Sequence, residues 1–237
     1  MPTKSPDPAA PQTGPRFRAE ARKRVVDTAK LVFQEKGPDA PLEEIARRGG
    51  VGIATLYRRF PTREDLLREV CLAVMREVTS EAARAAEEEP DGWRALARVL
   101  HYSISSHAAG MLPVAAGRFL KTPEVLQVRA EYVAALTGLL ERARAEGSLR
   151  ATQINHVDLL LVLALLSRPL PGVDTELAQQ LAHRYVDLLA GGMTAEDTPE
   201  LSGPSLDQEA LDALWNGSAV DTGGTKPKTR KAGGRAS

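Results

Sequence analysis

The chain has 237 residues, with 31 basic and 31 acidic side chains, so its formal net charge is zero. Apolar residues make up 43% and charged residues 26%, close to the globular average, which excludes wholesale disorder, a collagen-like repeat and a polytopic membrane protein. The single cysteine, Cys71, excludes an intramolecular disulfide and any need for an oxidising compartment.

The balance of charge is local as well as global. Residues 16–76 carry 14 basic and 9 acidic side chains, whereas residues 77–200 carry 11 and 17. A basic N-terminal module therefore precedes an acidic body, and that asymmetry points to a polyanion as partner of the first module.

In chain order, residues 1–15 are Pro-rich, without the apolar core of a signal peptide, and are expected to be an unstructured arm. Val25, Ala29, Val32 and Phe33 recur on one face of a first helix, which Gly37-Pro38 ends. Pro41 opens a short second helix with Leu42, Ile45 and Ala46 inward, and Gly49-Gly50 breaks it. A third short helix runs over 53–60 and buries Leu56 and Phe60, with Pro61 after it. Thr62 with Asp65 forms a capping box for a long fourth helix bearing Leu66, Leu67, Val70, Cys71 and Val74.

Asp91 is the cap of a fifth helix, with Trp93, Leu96, Ala97, Leu100 and Ile104 on its expected inner face. Thr122-Pro123-Glu124 starts the next helix and Gly147 stops it. Two further helices fall near 155–167 and 174–190. The longest apolar run, Leu159 to Leu166, is far short of the roughly 20 residues of a membrane span, so a cytoplasmic protein is expected. The fold class is all-α. The domains read as a helix-turn-helix module over 16–61, a helical body over 62–200 and a disordered basic tail over 201–237.

The third helix carries the function. Its small N-terminal residues, hydroxyl and long cations, set around buried Leu56 and Phe60, suit a helix that reads the major groove. The stretch Ile45-Ala46-Arg47-Arg48-Gly49-Gly50-Val51-Gly52-Ile53-Ala54-Thr55-Leu56-Tyr57-Arg58-Arg59-Phe60, followed by Pro61-Thr62-Arg63-Glu64-Asp65-Leu66-Leu67, resembles the signature of the tetracycline-repressor (TetR) family. The resemblance spans about 50 residues and implies a DNA-binding transcriptional regulator. It places Thr55 and Tyr57 at positions that touch phosphates or bases, Arg63 at a phosphate-binding position, and Ile53 and Ala54 at variable base-facing positions. Arg58 and Arg59 reach a guanine edge or a phosphate. Gly52 stands where the family has a serine, so a side-chain cap is missing. Arg16 and Arg18 precede or open the first helix, within reach of the DNA backbone. Arg47, Arg48 and Arg68 read as a solvated face.

The resemblance also implies a homodimer on a palindromic operator and a small-molecule effector held by the helical body. Leu159, Val162, Leu163 and Leu166, with Leu177, Leu181 and Leu188 on the last helix, are the expected dimer interface, because a helix apolar all round must be covered on all sides. Trp93, His101, Tyr102, His107, Met111, Arg118 and Phe119 are the expected effector-contacting residues, mixing apolar walls with few polar anchors. Repression by promoter occupancy is the default, and activation or a helical adaptor role are the alternatives. No cofactor and no metal are expected, since the four histidines lack metal-ligand spacing and no phosphate-binding glycine loop is present. Cys71 lies on an apolar face, which makes it a core residue and no nucleophile, so an enzyme is not expected.

Overall fold

The computed structural model describes residues 15–108, 110, 122–149, 153–168, 170–194, 201 and 204–215, the side chains of 15–18, 214 and 215 excepted. The described residues form nine helices and no strand: α1 Pro15–Lys36, α2 Leu42–Arg48, α3 Ile53–Arg59, α4 Arg63–Glu88, α5 Gly92–Ser105, α6 Pro123–Ala145, α7 His156–Leu166, α8 Thr175–Thr194 and α9 Gln208–Trp215.

Local chemistry sets the helix ends. Gly37 takes φ +81° and its N–H donates to the Phe33 carbonyl at 2.8 Å, closing α1 with a residue free to be left-handed. Thr62 and Asp65 cap each other reciprocally, backbone N–H to side chain at 3.1 Å both ways. Asn155 and Asp158 do the same for α7. Asp91 accepts from the Arg94 N–H, and Thr122 accepts from the Val125 N–H with Pro123 in the first turn of α6.

Helices α1–α3 form a small module around Val25, Ala29, Phe33, Ile45, Leu56 and Phe60, all buried. The first half of α4 closes this core with Leu66, Leu67 and Val70. Its second half packs Val74, Met75, Val78, Ala82 and Ala85 against α5 and α6. One helix of 26 residues therefore belongs to both the head and the body. Lys30 of α1, only 7% exposed at its side chain, reinforces the joint by donating to both carboxylate oxygens of Glu77 on α4, at 2.6 and 2.7 Å. A buried ammonium is tolerated only with such a partner.

In the body, α5 and α6 approach closely at Gly92, where a built Cβ would stand 2.8 Å from the Ala143 Cα. The Gly92 N–H donates to the Glu146 carboxylate at 2.6 Å, which, with Arg142, holds that carboxyl below its ordinary range.

Four expectations are corrected here. The inner face of α5 is Ala95, Leu96, Val99, Leu100 and Ile104; Trp93 and Ala97 sit half-buried at its margins, one turn position off the true stripe. Helix α8 continues four residues past Ala190. Leu159 and Leu163 are buried in the protomer's own core, at 3% and 4% exposure, so they leave no surface for a partner. Finally, 208–215 is a helix and no loose tail. The Asp207 carboxylate caps it through the Ala210 N–H, and Leu211 is fully buried. Arg129 of α6 grips Asp212 with both oxygens at 2.5 and 2.6 Å, and the Asn155 amide reaches back to Ser205 and the Leu206 carbonyl. The remaining tail, 216–237, and the N-terminal arm before Pro15 lie outside the described residues.

Candidate nucleic-acid interface

Helix α3 is held from below and open above. Leu56 is 1% exposed and Phe60, its C-cap, 3%, anchoring the helix to the module's core. Gly50 at φ +65° makes the turn from α2, and Gly52 opens α3 with no side-chain cap, as the missing serine implies. Gly52, Ile53, Ala54, Thr55, Tyr57 and Arg58 are all exposed, and Tyr57, at 44%, is exposed far more than a core aromatic would be. Arg58 Nη2 donates to the Thr55 hydroxyl at 2.9 Å. Arg59 is half-buried at the rear of the helix.

Arg63 is placed differently from its neighbours. It is half-buried, and its Nη1 donates to the Ala40 carbonyl and, at 3.2 Å, to the Pro38 carbonyl. It therefore clamps the α1–α2 connection to the start of α4, a role the sequence gave no sign of. The cations of α2 are engaged too. Arg47 and Arg48 both bind Glu44 and Arg48 also binds Glu35, which brings the Glu44 carboxyl down to about 2. Arg68 pairs with Asp65, and Arg22 with Glu69 on α4 at 2.7 Å. The side chains of Arg16 and Arg18 lie outside the described residues, though both positions fall in α1.

An exposed head with a buried anchor, joined to a helical body by one shared helix, is the arrangement that known proteins repeat. Residues 25–70 match the family described as "Bacterial regulatory proteins, tetR family". A TetR transcriptional regulator from Streptomyces coelicolor is 29% identical, over 74% of this chain and 99% of that one, with a TM-score of 0.52. Residues 25–70 thus carry the DNA-binding head of the TetR family. The TetR regulatory protein of Mycobacterium vanbaalenii is 27% identical over 76% of this chain and 99% of its own, with a TM-score of 0.50. The TetR-like regulator LfrR of Mycobacterium smegmatis, solved in complex with proflavine, shares the fold at 22% identity and a TM-score of 0.55, covering 78% and 99% of the two chains. A search of curated proteins finds no match. The TetR-type head and the shared fold make the chain a DNA-binding transcriptional regulator. Among the described residues no helix is long and apolar enough to cross a membrane.

The body holds a cleft of about 200 Å³ where α1, the end of α5, the α7–α8 turn and the start of α8 meet. Leu31 and Gln34 face it from α1, Ile104 and His107 from the end of α5, Leu166 from α7 and Ala178 from α8. Of the four expected effector residues that fall among the described residues, only His107 lines it. His107 has φ +57°, and burial pushes its imidazole below the ordinary value, so it is neutral near pH 7. Trp93 lies at the far end of α5, its N–H donating to the Ser148 hydroxyl. His101 is turned toward His183 on α8, and Tyr102 is half-buried, with burial first and the charges of Glu77 and Glu81 next raising its phenol above the ordinary value. Met111, Arg118 and Phe119 lie outside the described residues. Leu166, expected at the dimer interface, is half-buried at this cleft. The α1 residues were missed because their spacing marks only one helix face, and nothing in it says what lies opposite.

A second surface is apolar and open. Leu177 and Leu188 are 45% and 61% exposed, and Tyr185 and Leu189 on α8 and Leu165 on α7 are exposed too. Val162 and Leu181 are half-buried.

Proposed function

We propose that this regulator is a cytoplasmic homodimeric repressor that reads a palindromic operator and releases it when a small molecule occupies the cleft. The observation that carries the reading is the exposed face of α3, where Ile53, Ala54, Thr55, Tyr57 and Arg58 project from a helix anchored by Leu56 and Phe60. Small residues at the leading end admit close approach to base edges, and Arg58 has the bidentate donors that suit guanine.

One head of this size specifies too few base pairs, so two are needed, about 34–36 Å apart in successive major grooves. The exposed leucines of α7 and α8 support a twofold contact, since an apolar surface of that kind stays covered in a soluble protein. LfrR was solved with proflavine bound; for this chain the effector reading rests on the cleft, which spans head and body. An effector releases DNA only by as much as it prefers the released state, typically 1–3 kcal/mol.

The test is to incubate the protein with fragments of its own genome, recover the bound DNA and sequence it beside the Tyr57→Ala, Arg58→Ala double variant. Enrichment of one palindrome, lost in the variant, is the expected result. Uniform weak enrichment that vanishes at moderate salt would show only electrostatic binding and favour an adaptor role.

A further inference from the structure

The contact between α5 and α8 contains a chain of four polar side chains that the DNA-binding function does not use. The Nδ1 atoms of His101 and His183 stand 2.8 Å apart. The outer nitrogen of His101 lies 3.0 Å from the Asp187 carboxylate, and that of His183 lies 3.1 Å from the Ser105 hydroxyl. The ring centres are 5.1 Å apart and the ring planes differ by 20°. With the nitrogens so much closer than the centres, the rings meet edge to edge, their Nδ1 lone-pair directions opposed. That geometry suits a shared proton. A metal ion held by both nitrogens would need them further apart and converging.

Proton counting decides what the chain can do. With both rings neutral, the Ser105 hydroxyl donates to His183 Nε2, His183 Nδ1–H donates to His101 Nδ1, and His101 Nε2–H donates to Asp187. One added proton belongs on His101, beside the Asp187 carboxylate: His101 Nδ1–H then donates to His183 Nδ1, His183 Nε2–H donates to the Ser105 hydroxyl, and all three bonds survive. A second proton has only His183 Nδ1 left. Two N–H groups then face each other at hydrogen-bond distance on two cations, and the central bond is lost.

We propose that His101 and His183 form an acid-sensitive latch that holds α8 against α5 and opens on taking up a second proton. The charged group facing the pair is Asp187 on α8, which supports the first proton; His101 itself opposes the second. Lys23 of α1 and Glu77, Glu81 and Arg84 of α4 act on Tyr102, and Glu35 and Lys30 of α1 on His107. Burial and the His101 charge hold the His183 imidazole below its ordinary value near 6.5. A base whose value is lowered by docking binds protons more weakly when docked. The latch is therefore at full strength above about pH 6.5 and is lost as pH falls through the lowered value. Between about pH 6.5 and that lowered value, each pH unit weakens the latch about tenfold per proton, and below it the loss is complete.

The functional consequence rests on the proposed dimer, because α8 carries Leu177, Tyr185, Leu188 and Leu189 on its exposed side. Acid would loosen the helix that the partner grips and weaken the dimer.

Imidazole ¹⁵N NMR of the full chain between pH 8 and 5 tests the latch directly. His183 is expected to titrate below 6.5 with a strongly shifted Nδ1 signal that collapses on the second protonation. The His183→Gln variant keeps a polar side chain without titrating. Between pH 7.5 and 5.5 the melting temperature of the unmodified protein should fall about 2–4 °C more than that of the variant. Its dimer dissociation constant, from sedimentation, should rise about tenfold more. Parallel melting curves for the two proteins would overturn the latch, as would a His183 titration at or above 6.5. A Zn²⁺-dependent rise in melting temperature, absent from His183→Gln, would overturn it in favour of a metal site. If His183→Gln fails to fold, the NMR titration of the unmodified chain decides alone. A monomer at every pH would remove the proposed dimer and leave the latch to be judged by its NMR titration.

Discussion

Arg58 and Thr55 lie one turn apart on α3 and are already joined, the guanidinium donating to the hydroxyl at 2.9 Å. The bond restricts a long side chain before any DNA arrives, so less rotamer entropy remains to be lost on binding. Arg58→Ala is expected to weaken operator binding by about 1–3 kcal/mol and to relax preference at one base pair. Thr55→Val should lower affinity less and leave that preference in place. Fluorescence anisotropy on the operator and on single-base variants, at several salt concentrations, separates the two effects.

Arg63 serves the folded head through the carbonyls of Pro38 and Ala40. Arg63→Met leaves the carbonyls of half-buried Pro38 and buried Ala40 without this donor. It should destabilise the protein by about 1–3 kcal/mol in urea unfolding. If Arg63 also holds a phosphate, the salt dependence of DNA binding becomes shallower in the same variant; an unchanged slope assigns it to the fold alone.

The dimer reading puts Leu188, 61% exposed, at a subunit contact. Leu188→Arg should leave the melting behaviour of the protomer fold intact and yield a monomer in sedimentation at micromolar concentration. A dimer that persists would move the interface elsewhere.

Gly92 allows α5 and α6 to touch backbone to backbone. Gly92→Ala forces a methyl group against the Ala143 Cα and should cost about 1–3 kcal/mol, seen as a lowered denaturation midpoint. No single side-chain movement relieves the clash, because the obstacle is main chain.

Cys71 is buried, and burial alone pushes its thiol up to about 12. At pH 8 a thiol reagent should label it only at the rate at which the head opens, and fully after unfolding in denaturant. Fast labelling of the native protein would contradict its place on the buried face of α4.

Much of this architecture was legible in the sequence because capping chemistry is local. Thr62 with Asp65, Asp91 and Thr122-Pro123 each declared a helix start within four residues, and each holds a cap in the fold. The reading face was legible for a similar reason, since Leu56 and Phe60 fix which side of a seven-residue helix is buried. What depends on two distant segments was not. His101 and His183 are 82 positions apart, and only the packing of α5 on α8 brings them together. Leu159 and Leu163 share an apolar helix with Val162 and Leu165, and nothing in an all-apolar stretch says which side faces home. Helix α9 hid in a polar segment whose burial rests on one leucine and one arginine grip from α6.

The length of α4 sets a scale for regulation. Its 26 residues make a rod of about 39 Å. A tilt of about 5° about one end displaces the other by roughly 3.4 Å, the axial step between neighbouring base pairs. Such a tilt would carry the head by a whole unit of the DNA ruler for a shift in the body no larger than ordinary side-chain repacking. In the proposed dimer, a lever of that gearing would turn a small rearrangement near the cleft into a mismatch of register between two heads and one operator.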